Sequence, residues 1–450
     1  MNIKKIETNY NKKYFLKEFN NIKYKKYSKY SKSLENEIVN IYPEITYQDI
    51  LGFGGAFSEA TGVSLSKLQS NKKDEALNEY FSKSGLNYNF CRLPIASTDF
   101  SLKSYSYCTK KDLSDFSIEK DRQYIINIVK QALKINPDIK FLASPWSPPK
   151  FMKNNKMLIL GGKLLDKYKN LYADYLVKYI KAYEKENINI DYITVQNEPN
   201  AIQLWESCLY SPEEECDMVL NYIYPKFKEN NINTKILIWD HNKEKLYTRI
   251  LQELNFNEKA KDIISGAAFH FYSGSHFENI ALLRQNNDFK DKLLIHTEGC
   301  TGYSNFNEKD FIHNAEIYAH DMLGDLLHGA NGYIDWNLVL DNNGGPNHKK
   351  NYCDSPIMLN KDNTDYIKNL SFYYIAHFSK YIKRNAKVLA ISRYTTDIET
   401  LAIKNPDDSI AIIMLNKFGF DKKFNICING FTFSDKIEAH SIITYVISEN

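Results

Sequence analysis

The 450-residue sequence predicts an α/β protein in which a (β/α)8 barrel, or TIM barrel, carries a small all-β sandwich domain. Eight short runs of β-branched and aromatic residues alternate with longer amphipathic stretches between residues 50 and 340. After about residue 385 the hydrophobic period changes to two, which is typical of antiparallel strands. An open dinucleotide-binding sheet is disfavoured, because Phe57 stands where the last glycine of a GxGxxG turn belongs.

The eight candidate barrel strands are five or six residues long and rich in β-branched or aromatic side chains. In chain order they are Ile50–Gly54, Tyr88–Leu93, Lys140–Ser144, Tyr192–Gln196, Lys235–Asp240, Gly266–Phe271, Leu293–Thr297 and Gly332–Trp336. Strands that alternate with helices form a parallel sheet, since every crossover returns the chain to the same end. Eight such units favour closure into a barrel over an open sheet.

The intervening helices are visible as apolar stripes. The clearest stripe has a residue at every third or fourth position, namely Leu164, Tyr168, Leu171, Tyr175, Tyr179 and Tyr183. Another helix is predicted to begin after Ser211, because Pro212 suits a first turn and Glu213 and Glu214 lie beside the positive end of the helix dipole. These signals predict helices between the strands of the barrel.

The C-terminal region predicts strands at 402–404, 410–415 and 442–447, with a turn at 405–408 between the first two. Residues 42–48 form a candidate N-terminal strand for the same sheet. The predicted division is therefore an N-terminal segment, 1–49, that lends a strand to the sandwich, a catalytic barrel over 50–384, and a β-sandwich over 385–450.

Composition excludes several classes of protein. There are 58 basic and 55 acidic residues, and no basic run is interleaved with aromatics, so we expect no nucleic-acid partner. No apolar run approaches the ~18 residues of a transmembrane segment. The first residues lack the apolar core of a secretory signal, and the seven cysteines include no CxxC pair. We therefore expect a cytoplasmic protein with free thiols.

Two carboxylates follow strands that lie nearly opposite one another in an eight-stranded barrel. Glu198 comes after the fourth strand and Glu298 after the seventh. The carboxyl ends of barrel strands converge on one mouth, and an acid paired with a carboxylate is what acetal cleavage requires. Pro199 is expected to hold Glu198 extended at the strand exit. The sequence leaves open whether the gap between the carboxylates suits retention or inversion at the anomeric carbon.

Other residues at the strand ends fit a sugar site. Trp146, Tyr272 and Trp336 can place flat apolar faces against a sugar ring. Arg92 and Asp99 are close enough to form a charge pair that positions Asp99 for two sugar hydroxyls, although a purely structural ion pair has the same spacing. No metal-ligand motif includes His270 or His296, so no catalytic metal is expected. Cys300 is interpreted as a small buried residue.

Taken together, these motifs resemble glycoside hydrolase family 30, most closely its glucosylceramidase branch. The matching segments, in order, are 52–56, 92–101, 143–146, 197–199, His270 with Tyr272, Glu298 with Cys300, 335–338, 344–347, 354–357 and 377–380. The resemblance runs from about residue 45 to the end of the chain. It departs from the family at His348, where the relatives carry a tryptophan, and in a short N-terminal region without the cysteine-bearing segment of lysosomal members.

The resemblance implies a retaining β-glycosidase acting on a β-glucoside or a glucosylated lipid, without cofactor or metal. In it, Glu198 is the acid/base, with a pKa that we expect the Glu298 charge to raise, and Glu298 is the nucleophile. The positions that hold the sugar are Asp99, Trp146, Asn197, Tyr272, Trp336 and Asn351, with Arg92 and His270 behind them. A β-xylosidase, a β-fucosidase, a β-1,6-glucanase and a non-catalytic carbohydrate-binding protein remain as alternatives.

Overall fold

The computed structural model describes residues 2–20, 22–26, 37–302 and 311–448; residues 1, 21 and 27–36 of the predicted N-terminal segment lie outside this part of the chain. The strands outside the barrel are β1 (Asn2–Asn9), β2 (Tyr14–Phe19), β3 (Lys25–Lys26), β4 (Ile38–Asp49), β13 (Val339–Leu340), β14 (Ile357–Leu359), β15 (Tyr366–Lys368), β16 (Lys387–Arg393), β17 (Glu399–Lys404), β18 (Ile410–Asn416), β19 (Lys422–Ile428), β20 (Phe431–Ile437) and β21 (Ser441–Ser448). The barrel strands are β5 (Gly52–Ala56), β6 (Phe90–Ile95), β7 (Lys140–Pro145), β8 (Tyr192–Thr194), β9 (Lys235–Asn242), β10 (Gly266–His270), β11 (Leu293–Glu298) and β12 (Gly332–Asn337).

The described α-helices are α1 (Glu59–Lys67), α2 (Ser70–Phe81), α3 (Glu119–Gln123), α4 (Ile125–Ile135), α5 (Lys169–Lys185), α6 (Pro212–Asp217), α7 (Tyr224–Glu229), α8 (Leu246–Phe256), α9 (Ala260–Ile263), α10 (Phe277–Gln285), α11 (Phe311–His328) and α12 (Leu370–Ser379). A π-helical segment, Met218–Ile223, joins α6 to α7. The predicted aromatic stripe is the buried face of α5 from Tyr175 onward, whereas Leu164 precedes that helix. None of the described helices is long and apolar enough to cross a bilayer.

Strands β5 to β12 pair in parallel and in sequence order, and β12 closes on β5. The predicted α/β barrel is thus confirmed, with small shifts at the strand ends. An apolar layer fills the lower interior, including Phe90, Leu142 and Ile334. One or two residues further along the strands the interior becomes polar, with Arg92 and Ser144 both buried. The barrel therefore has an apolar floor beneath a polar site at the carboxyl ends of its strands.

Both ends of the chain build the predicted β-sandwich. Ten strands form one folded sheet in the order β2-β1-β21-β18-β17-β16-β4-β19-β20-β3. Strands from its two halves face each other: the rings of Phe433 on β20 and Tyr445 on β21 have centroids 5.0 Å apart. Sequence periodicity missed β1 because Lys5 and Glu7 are buried there, in an ion-pair network with Asp435.

Helix α12 joins the sandwich to the barrel. Its residues Tyr374 and Phe378 belong to one continuous apolar core with Leu401 and Ile413 of the sheet. Between them the imidazole of His377 is fully buried and hydrogen-bonds the hydroxyls of Thr8 and Thr444. The two parts of the molecule therefore share a core.

Candidate active site

The eight residues predicted for catalysis and sugar binding line one cavity of about 230 Å³ at the carboxyl ends of the barrel strands. They are Asp99, Trp146, Asn197, Glu198, Tyr272, Glu298, Trp336 and Asn351. The two remaining predicted residues, Arg92 and His270, are fully buried behind this wall. The convergence of strand ends that the sequence implied thus occurs.

Glu298 ends β11 and is held by two donors. Arg92 Nη1 donates to its Oε2 at 2.6 Å, and the Tyr272 hydroxyl donates to its Oε1 at 3.0 Å. Burial and the charges of Glu198 and Asp240 raise the pKa of Glu298, against the opposing charges of His270 and Arg92. These two donors fix the orientation of the Glu298 carboxylate, which lines the same cavity as Glu198.

Asp240 is the centre of the network beneath the cavity. Its Oδ2 accepts hydrogen bonds from Arg92, Ser144 and Thr194, each at 2.7 Å. Its Oδ1 accepts from Thr297 at 2.6 Å. Although burial opposes the effect, the charge of Arg92, then the hydrogen bond and charge of His270, and then the Thr297 hydrogen bond keep the pKa of this carboxyl far below its ordinary value. The suggested Arg92–Asp99 pair is wrong: Arg92 forms its ion pairs with Asp240 and Glu298.

A bulge in β9 aims Asp240 into the barrel. Trp239 and Asp240 both have positive φ, at 75° and 52°, and the pairing with β10 slips by one residue there. The Trp239 N–H donates to a side-chain oxygen of Glu215 at 3.0 Å and not to a neighbouring strand. The buried ion pair between Glu215 and Arg249 anchors this bulge from outside the barrel.

Glu198 leaves its strand through a left-handed turn. Its φ is +48°, so the expected extended conformation is wrong. Its N–H donates to the Asp240 carbonyl at 2.9 Å, and its carbonyl accepts from Ala201 at 2.9 Å within the turn. One tertiary bond and one turn bond therefore override the preference that Pro199 imposes. Strain of this kind is characteristic of functional sites, where the surrounding structure holds a residue in place.

The pKa of Glu198 is lowered, which is opposite to the expectation. Burial favours a raised pKa for Glu198, but the hydrogen bond from His270 and the nearby imidazole charges lower it to about 2. The hydrogen bonds run from His270 Nδ1 to Glu198 Oε1 at 3.3 Å and from Nε2 to Asp240 Oδ1 at 3.1 Å. Although burial opposes the charge, Glu298 and these two carboxylates raise the pKa of His270 to about 9. The acidic proton therefore resides on the imidazole.

Asp99 is held by side-chain amides instead of by Arg92. Asn347 and Asn351 each donate to its Oδ2 at 3.2 Å. Burial, with the charge of Glu298, raises the pKa of Asp99 to about 8 even though these amides oppose the shift. Within the described residues no donor reaches its Oδ1, which leaves that atom for a ligand hydroxyl.

The aromatic wall is rigid. Trp146 and Trp336 stack with centroids 5.3 Å apart and planes 20° apart, and the Arg92 guanidinium lies 4.7 Å from the Trp146 ring centroid. The Tyr272 hydroxyl reaches Cys300 Sγ at 3.6 Å in addition to Glu298. Cys300 is buried, as the sequence indicated. Flat faces beside a carboxylate pair suit a sugar ring.

Two clusters gather possible metal donors among the described residues: Glu198 with His241 and His270, and His296 with Asp321 and Asp325. In the first, both ring nitrogens of His270 are hydrogen-bonded to carboxylate oxygens, so neither nitrogen is free to bind a metal ion. In the second, the ammonium of the fully buried Lys243 already lies between the two aspartates. Neither arrangement presents a free ligand set.

Sequence reasoning missed Asp240 and several lining residues. The missed lining residues are Phe100, Gln203, Trp205, His241 and Asn242. Asp240 ends a predicted barrel strand, so the same strand-end argument would have found it. Gln203 and Trp205 lie in a loop whose path no local pattern specifies.

Residues 50–382 match the model of the glycosyl hydrolase family 30 TIM-barrel domain, and residues 385–445 match that of the family's β-sandwich domain. The lysosomal acid glucosylceramidase of Mus musculus is 31% identical over 428 residues, which cover 91% of this chain and 83% of that protein. The structure of SrfJ from Salmonella typhimurium matches with a TM-score of 0.96 and 32% identity over 100% of both chains. An endo-β1,6-glucanase structure matches with a TM-score of 0.86 and 29% identity, over 99% of this chain and 100% of that one.

Proposed function

The chain belongs to glycosyl hydrolase family 30, and on that premise we propose that it is a retaining β-glucosidase whose leaving group is an apolar aglycone of the glucosylceramide kind. The observation that carries the proposal is the shared cavity in which Glu198 and Glu298 have different partners. Glu298 is fixed by Arg92 and Tyr272, as a nucleophile needs, whereas Glu198 contacts a proton-bearing imidazole.

In the first step, a Glu298 oxygen forms a bond to the anomeric carbon while the bond from that carbon to the leaving oxygen breaks. Glu198 receives a proton across the 3.3 Å hydrogen bond from His270 Nδ1 and passes it to the leaving oxygen, so that Glu198 ends the step as a carboxylate. A bound sugar excludes water and so raises the proton affinity of Glu198. The acid is therefore the Glu198–His270 pair.

In the second step, Glu198 removes a proton from water, and the water oxygen displaces Glu298 from the anomeric carbon. The ester formed in the first step has removed the negative charge of Glu298, which is the largest contribution raising the pKa of His270. The pair consequently holds its proton less tightly at the stage when Glu198 serves as base.

The apolar aglycone is inferred from a flap at the rim, formed by residues 157–160 and 201–206. The two segments pair through the Leu160 N–H, which donates to the Gln203 carbonyl at 2.9 Å, and through a bridge from Ile159 to Glu206. Alternate residues face opposite ways. Gln203 donates to Glu198 at 3.2 Å and Trp205 lines the cavity, while Ile202 and Leu204 are 65% and 69% exposed. An exposed aliphatic rim beside the leaving-group side suits a lipid chain.

A second candidate is a β-1,6-glucanase, which the match over the whole chain to an endo-β1,6-glucanase favours. In that case Trp205 would stack on a second sugar in place of a lipid chain. The relative named glucosylceramidase and the aliphatic rim support the first candidate more strongly.

The test combines covalent trapping with a substrate panel. An activated 2-deoxy-2-fluoro-β-glucoside should add one glycosyl unit to the peptide that contains Glu298, and the first-formed product should have the β configuration. The panel compares dodecyl β-glucoside, glucosylceramide in mixed micelles, a β-1,6-glucan, and aryl β-xyloside and β-fucoside. Labelling of another residue, or an α product, would refute the mechanism. Preference for the glucan would favour the second candidate, and binding without turnover would indicate a non-catalytic carbohydrate-binding protein.

A further inference from the structure

The residue that departs from the family resemblance, His348, lies on the loop of residues 347–351, which supplies both amides that bind Asp99. Its N–H donates to the Asp99 carbonyl at 3.1 Å. Its ring Nδ1 lies 3.1 Å from the Ser101 carbonyl, and because a carbonyl only accepts, Nδ1 carries a proton. His348 therefore binds the backbone carbonyls of both Asp99 and Ser101.

The other ring nitrogen points to the flap. His348 Nε2 lies 3.4 Å from the Ser104 hydroxyl and 3.7 Å from Glu206 Oε2. The Glu206 side chain is 1% exposed, and its Oε2 has no hydrogen-bond partner among the described residues. Its Oε1 accepts from Ser97 at 2.7 Å, so Glu206 contacts the Asp99 loop from the opposite side.

These contacts surround Asp99 on both sides of its position in the chain. Ser97 and Ser101 flank it in sequence, Glu206 contacts the first, and His348 contacts the second and faces Glu206. The neighbours of His348, Asn347 and Asn351, supply the two amides that bind Asp99 Oδ2. The His348 ring therefore holds the Ser101 carbonyl, two positions after Asp99, and lies on the same loop as the amides that orient the Asp99 carboxyl group.

We propose that His348 is a positioning residue for sugar recognition: it holds Asp99 in place against the sugar and ties this loop, through Glu206, to the flap that contacts Glu198. The inference rests on the proposed glucosidase function. It predicts that His348 acts on sugar affinity through Asp99 and has little part in bond cleavage, since its ring hydrogen-bonds Ser101 and Ser104 and not a catalytic carboxylate.

The test uses variants that separate the two ring contacts. In His348→Asn the amide can still donate to the Ser101 carbonyl but falls short of Glu206; in His348→Gln it can reach Ser104 and Glu206 but loses Ser101. His348→Ala removes both contacts, and Lys349→Ala is the matched control, because the Lys349 side chain makes none of these contacts. The readouts are KM and kcat for an aryl β-glucoside, and the Kd for 1-deoxynojirimycin, a glucose-configured inhibitor.

His348→Ala should raise KM and Kd about tenfold with kcat within about twofold of wild type, since lost ground-state binding appears in KM alone. His348→Asn and His348→Gln should each restore part of the loss. In an Asp99→Asn background the same alanine substitution should change Kd less than twofold, because residues that act through one group are not additive.

A full tenfold effect in the Asp99→Asn background, or a fall in kcat at unchanged KM, would overturn the inference. If the wild type is active and His348→Ala equals it, this inference alone fails. If the wild type neither cleaves the glucoside nor binds the inhibitor, the proposed function fails, and the inference with it.

Discussion

At the scale of single residues, the site depends on how five charged groups share a small volume. Arg92 and His270 face the carboxylates of Asp240, Glu298 and Glu198, and each cation contacts two of them. Buried charges persist only when they are paired and hydrogen-bonded. Asp240 meets this condition for both cations, because it contacts Arg92 through one oxygen and His270 through the other.

The roles of the two glutamates can be separated by chemical rescue. Glu298→Gln should lower kcat about 10⁴-fold or more, since it removes the nucleophile. Glu198→Ala should still release an activated phenol, and added azide should accelerate turnover and yield a β-glucosyl azide, because a small anion can enter where the carboxylate was. Wild-type turnover by Glu298→Gln, or no azide effect on Glu198→Ala, would contradict the assignment.

Asp240→Asn should destabilise the protein by about 3 kcal/mol, because removing one partner of a buried ion pair leaves the other charge uncompensated. Urea unfolding measures the free-energy change. Asp408→Asn is the control: its carboxylate is paired with Lys404 but 84% exposed, and asparagine tolerates its φ of +62°. Equal stability of the two variants would show that Asp240 is not the centre of the network.

At the scale of elements, the loops after the barrel strands set what lies around the sugar. The flap alternates cavity-facing and exposed residues, as a strand does, so one short segment contacts the acid/base with Gln203 and presents Leu204 to solvent. The loop of residues 347–351 similarly supplies Asn347 and Asn351 to Asp99. Sugar recognition and aglycone recognition therefore belong to different loops on one scaffold.

The flap prediction uses the pair Ile202→Ser and Leu204→Ser. The double variant should lose about tenfold in kcat/KM for dodecyl β-glucoside, since each buried methylene contributes about 0.8 kcal/mol, and less than about twofold for methyl β-glucoside. Ile367→Ser, at a 54% exposed residue on β15 that does not line the cavity, should leave both values unchanged. Equal losses on the long and the short glucoside would rule out the flap as an aglycone site.

At the scale of the whole molecule, the barrel and the sheet are joined by a core that is complete only when both ends of the chain are in place. Strands β1 and β21 pair along their whole length, and α12 packs against this part of the sheet. His377 of α12 lies within that core and bonds Thr8 near one end of the chain and Thr444 near the other. Folding of the barrel and of the sandwich should therefore be cooperative.

His377 makes the stability of this shared core dependent on pH. Burial lowers the pKa of His377 from 6.5 to about 3. Below about pH 6.5 the unfolded chain takes up a proton on this residue and the folded chain does not, so stability falls as the pH drops toward 3. When the pH is lowered from 7.5 to 5.5, protonation of this residue in the unfolded chain should lower the free energy of unfolding by about 1.4 kcal/mol.

Urea unfolding at the two pH values measures that loss, which should be absent in His377→Gln. His276→Gln replaces a half-exposed imidazole outside this core and is the control. Identical pH dependence of wild type and His377→Gln would contradict the assignment.

Much of the site was predictable, because the geometry of a parallel barrel makes the position of a residue along its strand sufficient to place it at the mouth. Both glutamates, with Trp146, Tyr272 and Trp336, follow from that rule. Asn351 was predicted only through the family resemblance, and lining residues such as Gln203 and Trp205 were missed. The boundaries 1–49, 50–384 and 385–450 and the catalytic roles remain predictions. Strand β1 escaped detection because its buried polar residues look exposed in the sequence; their partner, Asp435, is more than 400 positions away.

The sequence alone therefore determined the architecture and the chemical groups at the mouth of the barrel, because both depend on local periodicity and strand order. Tertiary structure decided which groups are paired and which hold protons: Arg92 with Asp240, Asp99 with two asparagines, and the acidic proton on His270. Electrostatic interactions add over every charge within a few ångströms, and those charges come from strands widely separated in the chain.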